Sequence, residues 1–442
     1  MLSFWSRTTL THTGVNVIIF AMHLKLYVIT VFLICYCLIV SVKKHPLPIL
    51  YTGVLLLLLS PALSLKQAFC SINLNVMGIF WGTMVLSFLF VYSGVPNLLA
   101  SKLVNKTKSV AGAFLVLCAM TAFISSFSEN ISTILIMAPL AIETAKKLDV
   151  SPVPLIIGMA VSSNLQGCAT MIGDSPSIIL AMESNMSFND FFWMQGKPGI
   201  FFAVQLAALG SFVVLFLIFK KYRGKTKHVP SEKAKTWIPG LMIIGLVTSL
   251  IIASSITRKP AYTLGSICVF WGIIAVIWHH LQHREALNLV RGLDWQTFFF
   301  LIGIFVLVGS LTVNGIINDL AQFMIKITGA SAILSFILLI VVSVIISAFV
   351  DNIPYTIAMI PVAQLMARTL GVSPYPFLFG LLVGTCVGGN ITPIGASCNI
   401  AAVGILRKNG YRIGFMEFVR IGLPFTIVTV TIASLFIWLV WM

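Results

Sequence analysis

The sequence predicts an all-α polytopic membrane protein of about 11–12 spans, in two inverted repeats that each carry a re-entrant hairpin and a broken helix. Composition is the first ground for this. Of 442 residues, 59% are hydrophobic and only 9% charged, against about 25% charged in a soluble domain, and mean hydropathy is +1.03. Internal repetition is the second. Residues 127–180 slide onto 349–402 without a gap, an offset of 222, giving 20 identities in 54 positions; chance gives roughly three to five. The third is that basic residues gather between apolar runs, which is how membrane proteins set their orientation.

In chain order, the apolar runs cover 27–43, 48–66, 76–95, 109–127, 153–182, 197–219, 238–256, 263–281, 295–313, 331–349, 375–406 and 423–441. Residues 1–26 show no small-residue cleavage site, so no removable signal peptide is expected. Segments 96–107 and 316–328 read as amphipathic interfacial helices that link a scaffold to a moving part. Segments 131–149 and 353–371 each hold a proline (Pro139, Pro361) and follow the preceding run with no real loop. They are predicted as the hairpins, which membranes tolerate only where protein or a cavity surrounds them. The runs 153–182 and 375–406 are polar in the middle and are predicted as the broken spans.

The domains follow. Residues 1–219 form the first repeat, 220–237 a basic linker and 238–442 the second repeat. The linker cluster Lys220, Lys221, Arg223, Lys225, Lys227, Lys233 and Lys235, with Glu232 as its acid, places this loop in the cytoplasm. Arg407, Lys408, Arg412 and Arg420 are expected on the same side. Twelve full crossings would leave the halves parallel, so either one span between 238 and 281 does not cross fully or the positive-inside argument fails here. The net charge of +16 is thereby explained by topology, and no nucleic-acid partner is expected.

Ionisable groups inside a membrane are costly and mark function. Glu129 and Asp351 are repeat counterparts, each beside an asparagine (Asn130, Asn352) where a span ends and the hairpin begins; Ser128 precedes Glu129. Free backbone groups and half-helix dipoles there can hold an ion. N-capping explains one copy as readily; two copies in identical register favour a binding site, and both readings hold together. The second polar element, Gly167 to Ser177, contains Thr170, Gly173, Asp174 and Ser175. Its partner, Gly389 to Asn399, contains Thr392, Gly395, Ser397 and Asn399. Glycine lets the backbone unwind and approach a ligand, and freed carbonyls with hydroxyls offer oxygen ligands to a small cation. Na⁺ near Asn130, Gly173, Asn352 and Gly395 is the expectation; no other cofactor is expected, with Na⁺ or H⁺ as coupling ion. Asp174 faces Ala396 in the second copy, which makes it the leading proton- or cation-coupling group. Lys146 and Arg368 are expected to snorkel to the interface, and His279, His280 and His283 to be solvated. Eight cysteines form no CxxC pair.

These residues carry a family resemblance. The run Asp351-Asn352-Ile353-Pro354-Tyr355-Thr356, with Met359-Ile360-Pro361 and Gly388-Gly389-Asn390-Ile391-Thr392-Pro393-Ile394-Gly395-Ala396-Ser397, resembles the arsenite-permease, NhaD-type sodium/proton antiporter and melanosomal P-protein branch of the ion transporter superfamily. Citrate-transporter-like and dicarboxylate carriers are more distant. The resemblance implies inverted repeats, an elevator-like transport domain, often a homodimer, and ion and substrate surrounded by Asn130, Thr170, Gly173, Asp174, Asn352, Thr392, Gly395 and Asn399.

Together these observations point to a secondary active ion transporter in the cell membrane, coupled to Na⁺ or H⁺ and moving a small inorganic ion, by arsenite-type efflux or Na⁺/H⁺ exchange. A di- or tricarboxylate symporter is the alternative, and a passive channel a more distant one. An enzyme is not expected, and no GxxxxGK[ST] loop for ATP appears. Cys168, Cys386 and Cys398 lie in the polar breaks, where thiols suit arsenite.

Overall fold

The computed structural model describes residues 2–42, 45–222, 224, 233–256, 258–283 and 286–442. Twenty α-helices follow in order: α1 (Leu2–Ser41), α2 (Pro46–Leu58), α3 (Leu65–Ser71), α4 (Leu74–Tyr92), α5 (Val95–Val104), α6 (Val110–Ser125), α7 (Asn130–Lys147), α8 (Val153–Gly167), α9 (Ser175–Glu183), α10 (Ile200–Phe219), α11 (Ile238–Ser254), α12 (Thr263–His283), α13 (Ala286–Gly292), α14 (Trp295–Val313), α15 (Ile316–Ile327), α16 (Ala332–Ser347), α17 (Asn352–Leu370), α18 (Pro374–Gly388), α19 (Ser397–Lys408) and α20 (Phe415–Trp441). A two-residue hairpin pairs Trp193–Met194 with Lys197–Pro198. The chain is all-helical apart from that hairpin among the described residues. Seven helices are long and apolar enough to cross a membrane, or eight when one bent pair counts as a single span. The expected count of about 11–12 includes shorter apolar helices (α2, α6 and α11) and the first broken span, whose halves α8 and α9 fall below that length; in the second, Pro374–Ile391 reaches it alone.

Breaks fall where backbone chemistry demands them. Helix α2 stops three residues before Pro61, which cannot continue a helix. Ser64 then starts α3 with a reciprocal cap, accepting from Gln67 N–H at 3.3 Å while Ser64 N–H donates to Gln67 Oε1 at 2.9 Å. Gly94, at φ +70°, turns the chain into α5. Segments 131–149 and 353–371, expected to be hairpins within themselves, are instead the continuous helices α7 and α17, which run on through Pro139 and Pro361; the chain is interrupted at residues 126–129, between α6 and α7. The broken spans are α8 with α9 and α18 with α19, interrupted at 168–174 and 389–396. Segments 96–107 and 316–328 appear as the short helices α5 and α15.

The offset of 222 persists beyond the matched stretch. It carries α4 onto α14, α5 onto α15, α6 onto α16, α7 onto α17, α8 onto α18, α9 onto α19 and α10 onto α20, and α12 onto the region of α2. Packing follows the repeat: α6 lies on α8 as α16 lies on α18. Elsewhere partners are exchanged, since α4 packs on α12 while α2 packs on α14. The α4–α12 seam is close because Gly78 and Gly82, four residues apart, leave it bare; a methyl at Gly78 would meet the Gly265 carbonyl at 3.3 Å and one at Gly82 would overlap that of Cys268.

The helices cluster into two compact units. One holds residues 1–73 and 295–327, with α1, α2, α3, α14 and α15; the Lys25–Asp319 ion pair (2.6 Å) and a bond from Tyr51 Oη to the Phe299 carbonyl (2.9 Å) lie within it. The other holds residues 74–294 and 328–442. Its centre is α8, all of whose residues are buried, together with α18. Arg223, Lys225, Lys227 and Glu232 of the basic linker lie outside the described residues, as does the side chain of His283. A second expectation is corrected here. His279 is not solvated: it is only 5% exposed, edge-on to Tyr92 with ring centroids 5.5 Å apart. The Lys235 ammonium sits 4.4 Å from the same Tyr92 ring, and its backbone N–H donates to the Ser93 carbonyl at 2.8 Å. An aromatic neighbour on the inward face of α12 removes this histidine from solvent.

Candidate functional site

All thirteen predicted site residues fall in the second unit, at the helix breaks. Helices that stop in mid-core leave carbonyls at one end and N–H groups at the other without intrahelical partners. Here the ends converge. A methyl built on Gly173 would lie 2.5 Å from the Gly167 carbonyl oxygen and 3.0 Å from those of Ser125 and Ser126. In the second copy a methyl on Gly395 would lie 2.6, 2.7 and 2.8 Å from the carbonyl oxygens of Ala348, Gly389 and Ser347. These are the same three positions shifted by 222. Only glycine permits such an approach, and each triplet presents the negative ends of two helices at one point.

Side chains brace both triplets in the same way. Ser125 Oγ donates to Asn130 Oδ1, and Ser347 Oγ donates to Asn352 Oδ1 at 2.8 Å. Thr170 Oγ1 donates to the Ser126 carbonyl, and Thr392 Oγ1 to that of Ala348. Asn399 Nδ2 donates to the carbonyls of Gly389 (2.9 Å) and Thr392 (3.1 Å), closing the second break. In the first break Ser177 Oγ, at the position of Asn399, reaches the Gly167 carbonyl at 3.3 Å.

The acids break this symmetry. Four helices begin in the site, and three have a carboxylate as the residue just before them: Glu129 before α7, Asp174 before α9 and Asp351 before α17, with Ala396 before α19. Asp174 Oδ1 accepts the Ser175 N–H (2.9 Å), and its Oδ2 accepts from Asn130 Nδ2 (2.9 Å). Asp351 Oδ1 accepts the Ile353 N–H (3.2 Å), and its Oδ2 accepts from Ser397 Oγ. Capping is therefore real for Asp174 and Asp351. Glu129 makes no cap; its longer side chain lines a small cleft with Asp174, Ser175, Gly173, Thr83 and apolar neighbours. The enclosed space there is about 10 Å³, close to what a single water-sized group needs. The three carboxylates are within electrostatic reach of one another, and none forms an ion pair with a basic group among the described residues. The Ser128 hydroxyl is buried with no hydrogen-bond partner in the structure.

One residue that the repeat pattern conceals sits between the copies. Asn164 Oδ1 accepts from Asn130 Nδ2 (3.3 Å) and from the Cys398 thiol (2.9 Å), while its Nδ2 donates to Asn390 Oδ1 (2.8 Å) and Asn399 Oδ1 (3.2 Å). Asn390 Nδ2 in turn reaches the Val161 carbonyl at 3.1 Å. The counterpart of Asn164 is Cys386 and that of Asn390 is Cys168, so neither asparagine appears as a repeated residue. Ser125 and Ser347 do repeat, two residues upstream of the matched stretch, and extending it would have found them.

Buried, doubled helix breaks in a chain of long apolar helices define a multi-pass membrane transport protein. The relatives agree. The chain belongs to the citrate transporter family (CitMHS), whose model matches residues 36–384. It is 28% identical over 431 residues to the 46 kDa membrane protein of Mycobacterium leprae, covering 93% of this chain and 97% of that one. An uncharacterized transporter of a Synechocystis species is 28% identical over 438 residues, covering 94% and 97%. The P protein of Mus musculus is 25% identical over 451 residues, covering 83% of this chain and 54% of that protein. Among solved structures, the YdaH transporter of Alcanivorax borkumensis superposes with a TM-score of 0.59 at 15% identity, covering 94% of this chain and 97% of that one. It is similar in fold.

Proposed function

We propose that this chain is a secondary active transporter coupled to Na⁺ or H⁺, which moves a small inorganic ion by an elevator-type displacement of the unit that carries the helix breaks. The observation that carries this reading is the pair of carbonyl triplets at Gly173 and Gly395, set beside three carboxylates without basic partners. Oxygen-only ligands at helix C-termini suit Na⁺, and uncompensated carboxylates in a membrane interior favour a proton or another cation. Asn130, bonded to Asp174, joins the first triplet to the cleft side, and the unpartnered Ser128 hydroxyl is available to a bound ion. Asp174, present in one copy only, is the coupling group. Export of arsenite-type species and Na⁺/H⁺ exchange both fit this charge balance. A di- or tricarboxylate substrate is the second reading, favoured by the family's description, although three unpaired acids disfavour a free polyanion. A homodimer is the assembly proposed.

Reconstitution in vesicles tests this. Wild type, Asp174→Asn and Asp351→Asn are compared for flux driven by imposed H⁺ and Na⁺ gradients, with arsenite and citrate as substrates. Gradient-driven flux is expected in wild type and a loss of tenfold or more in the variants. If both variants transport like wild type, the carboxylate assignment fails. Flux indifferent to every gradient would make the protein a passive channel, and citrate-only flux would establish the second reading.

A further inference from the structure

The helices that hold the two carbonyl triplets are spaced by different means. In the first copy the spacer is a side chain. Gln166, 7% exposed, and Gln205, half-buried on α10, bond reciprocally: Gln166 Nε2 donates to Gln205 Oε1 at 3.1 Å, and Gln205 Nε2 donates to Gln166 Oε1 at 3.0 Å. Ser126 Oγ reaches Gln166 Oε1 and the Ala122 carbonyl of α6, both at 3.3 Å. The side chain of Gln166 therefore meets Ser126, which supplies one triplet carbonyl, and its backbone leads into Gly167, which supplies another. An apolar bundle keeps such a chain of polar groups only when they are satisfied, and both amides here donate and accept. At the offset of 222, Ser126, Gln166 and Gln205 become Ala348, Gly388 and Ile427, none with a polar side chain. A methyl on Gly388 would lie 2.7 Å from Val344 Cα and 2.8 Å from the Val344 carbonyl oxygen, so α16 and α18 meet there backbone to backbone. Gln166 fills the equivalent place with a full side chain, so α6 and α8 cannot come as close.

We propose that Gln166 and Gln205 are positioning residues that set the size of cation the first triplet accepts, Gln166 as the spacer between α6 and α8 and Gln205 as the strut that fixes it. The proposal rests on the reading of the triplets as cation sites. Neither glutamine touches the ion; both act through the carbonyls of Ser126 and Gly167. Oxygen cages choose between cations by cavity size, ligand number and rigidity. A triplet held open by a braced side chain favours Na⁺ over the smaller Li⁺. The second triplet, closed by direct backbone contact, has no such strut.

The full chain, purified in sodium-free detergent buffer, is titrated with NaCl and separately with LiCl, choline chloride keeping the ionic strength constant. The rise in thermal midpoint gives each affinity. Gln166→Gly and Gln205→Ile each install the residue of the second copy. Each should lower the ratio of Na⁺ to Li⁺ affinity by about three- to tenfold, the net worth of one hydrogen bond. A merely structural role would lower the midpoint and leave the ratio alone. Gln205→Ile, at a half-buried position, decides the matter if Gln166→Gly is not monodisperse. An unchanged ratio in Gln205→Ile, alongside a Na⁺ response that Gly173→Ala weakens, overturns this proposal and leaves the cation reading of the triplets standing. A wild type indifferent to both cations, or a response that survives both Gly173→Ala and Gly395→Ala, overturns that reading and the proposal together.

Discussion

Replacing Asn164 by alanine should cost the second unit about 2–4 kcal/mol, and the figure follows from what each partner loses. Asn390 Oδ1 loses the donor that reaches it at 2.8 Å, and a buried acceptor left without a partner costs about 1–3 kcal/mol. Asn399 Oδ1 loses a 3.2 Å bond but keeps the Cys398 thiol at 3.5 Å, so only the net worth of one bond, about 0.5–1.5 kcal/mol, is at stake. Asn130 Nδ2 keeps Asp174 and adds little. The assay is unfolding in detergent followed by tryptophan fluorescence, for Asn164→Ala, Asn390→Ala and the double variant. Contacting residues in one network show interaction energies of about 0.5–3 kcal/mol, so the double variant should lose clearly less than the sum. A loss below about 0.5 kcal/mol for Asn164→Ala, or strict additivity, refutes the view that this asparagine ties the two copies together.

Other substitutions sort by the same geometry. Gly395→Ala forces a methyl to within 2.6–2.8 Å of three backbone carbonyls, so a loss of about 1–3 kcal/mol is expected. Gly404→Ala, with nothing within 4 Å of the added methyl, should be neutral or stabilising by up to about 1 kcal/mol; thermal midpoints of the two compared side by side decide this. Lys25→Ala breaks an ion pair whose side chains are 37% and 56% exposed, so a change under about 1 kcal/mol that shrinks further in high salt is expected. Ser64→Ala removes the cap of α3 and should cost about 1 kcal/mol, read as a lowered thermal midpoint.

Much of the fold was legible because membrane solvation and duplication write themselves strongly into a sequence. Apolar runs marked the long helices, and the echo of Thr170 in Thr392 and of Gly173 in Gly395 marked the breaks before any coordinate was known. Repetition is blind where copies differ. Asn164 and Asn390 were overlooked because cysteines stand opposite them, although they join the copies. Glu129 and Asp351 looked equivalent, yet one additional methylene lets Glu129 leave the cap position that Asp351 occupies. His279 looked solvated because adjacent basic residues say nothing of an aromatic ring 170 or more positions earlier in the chain, at Tyr92. Partner exchange between α4 and α12 was also hidden, since periodicity shows that a face is buried but not which helix covers it.

That exchange has a consequence for how the protein is made. Helix α4 leaves the ribosome about 170 residues before α12 begins, and at roughly 5–20 residues per second the wait is about 10–35 s. Through that interval the bare strip of Gly78 and Gly82 has no mate, and α2 waits longer still for α14. The amino-terminal half is thus an unfinished object in the bilayer, open to insertases, to proteases and to wrong neighbours. Expressed alone it should be degraded; expressed alongside the other half as a separate chain it should be rescued.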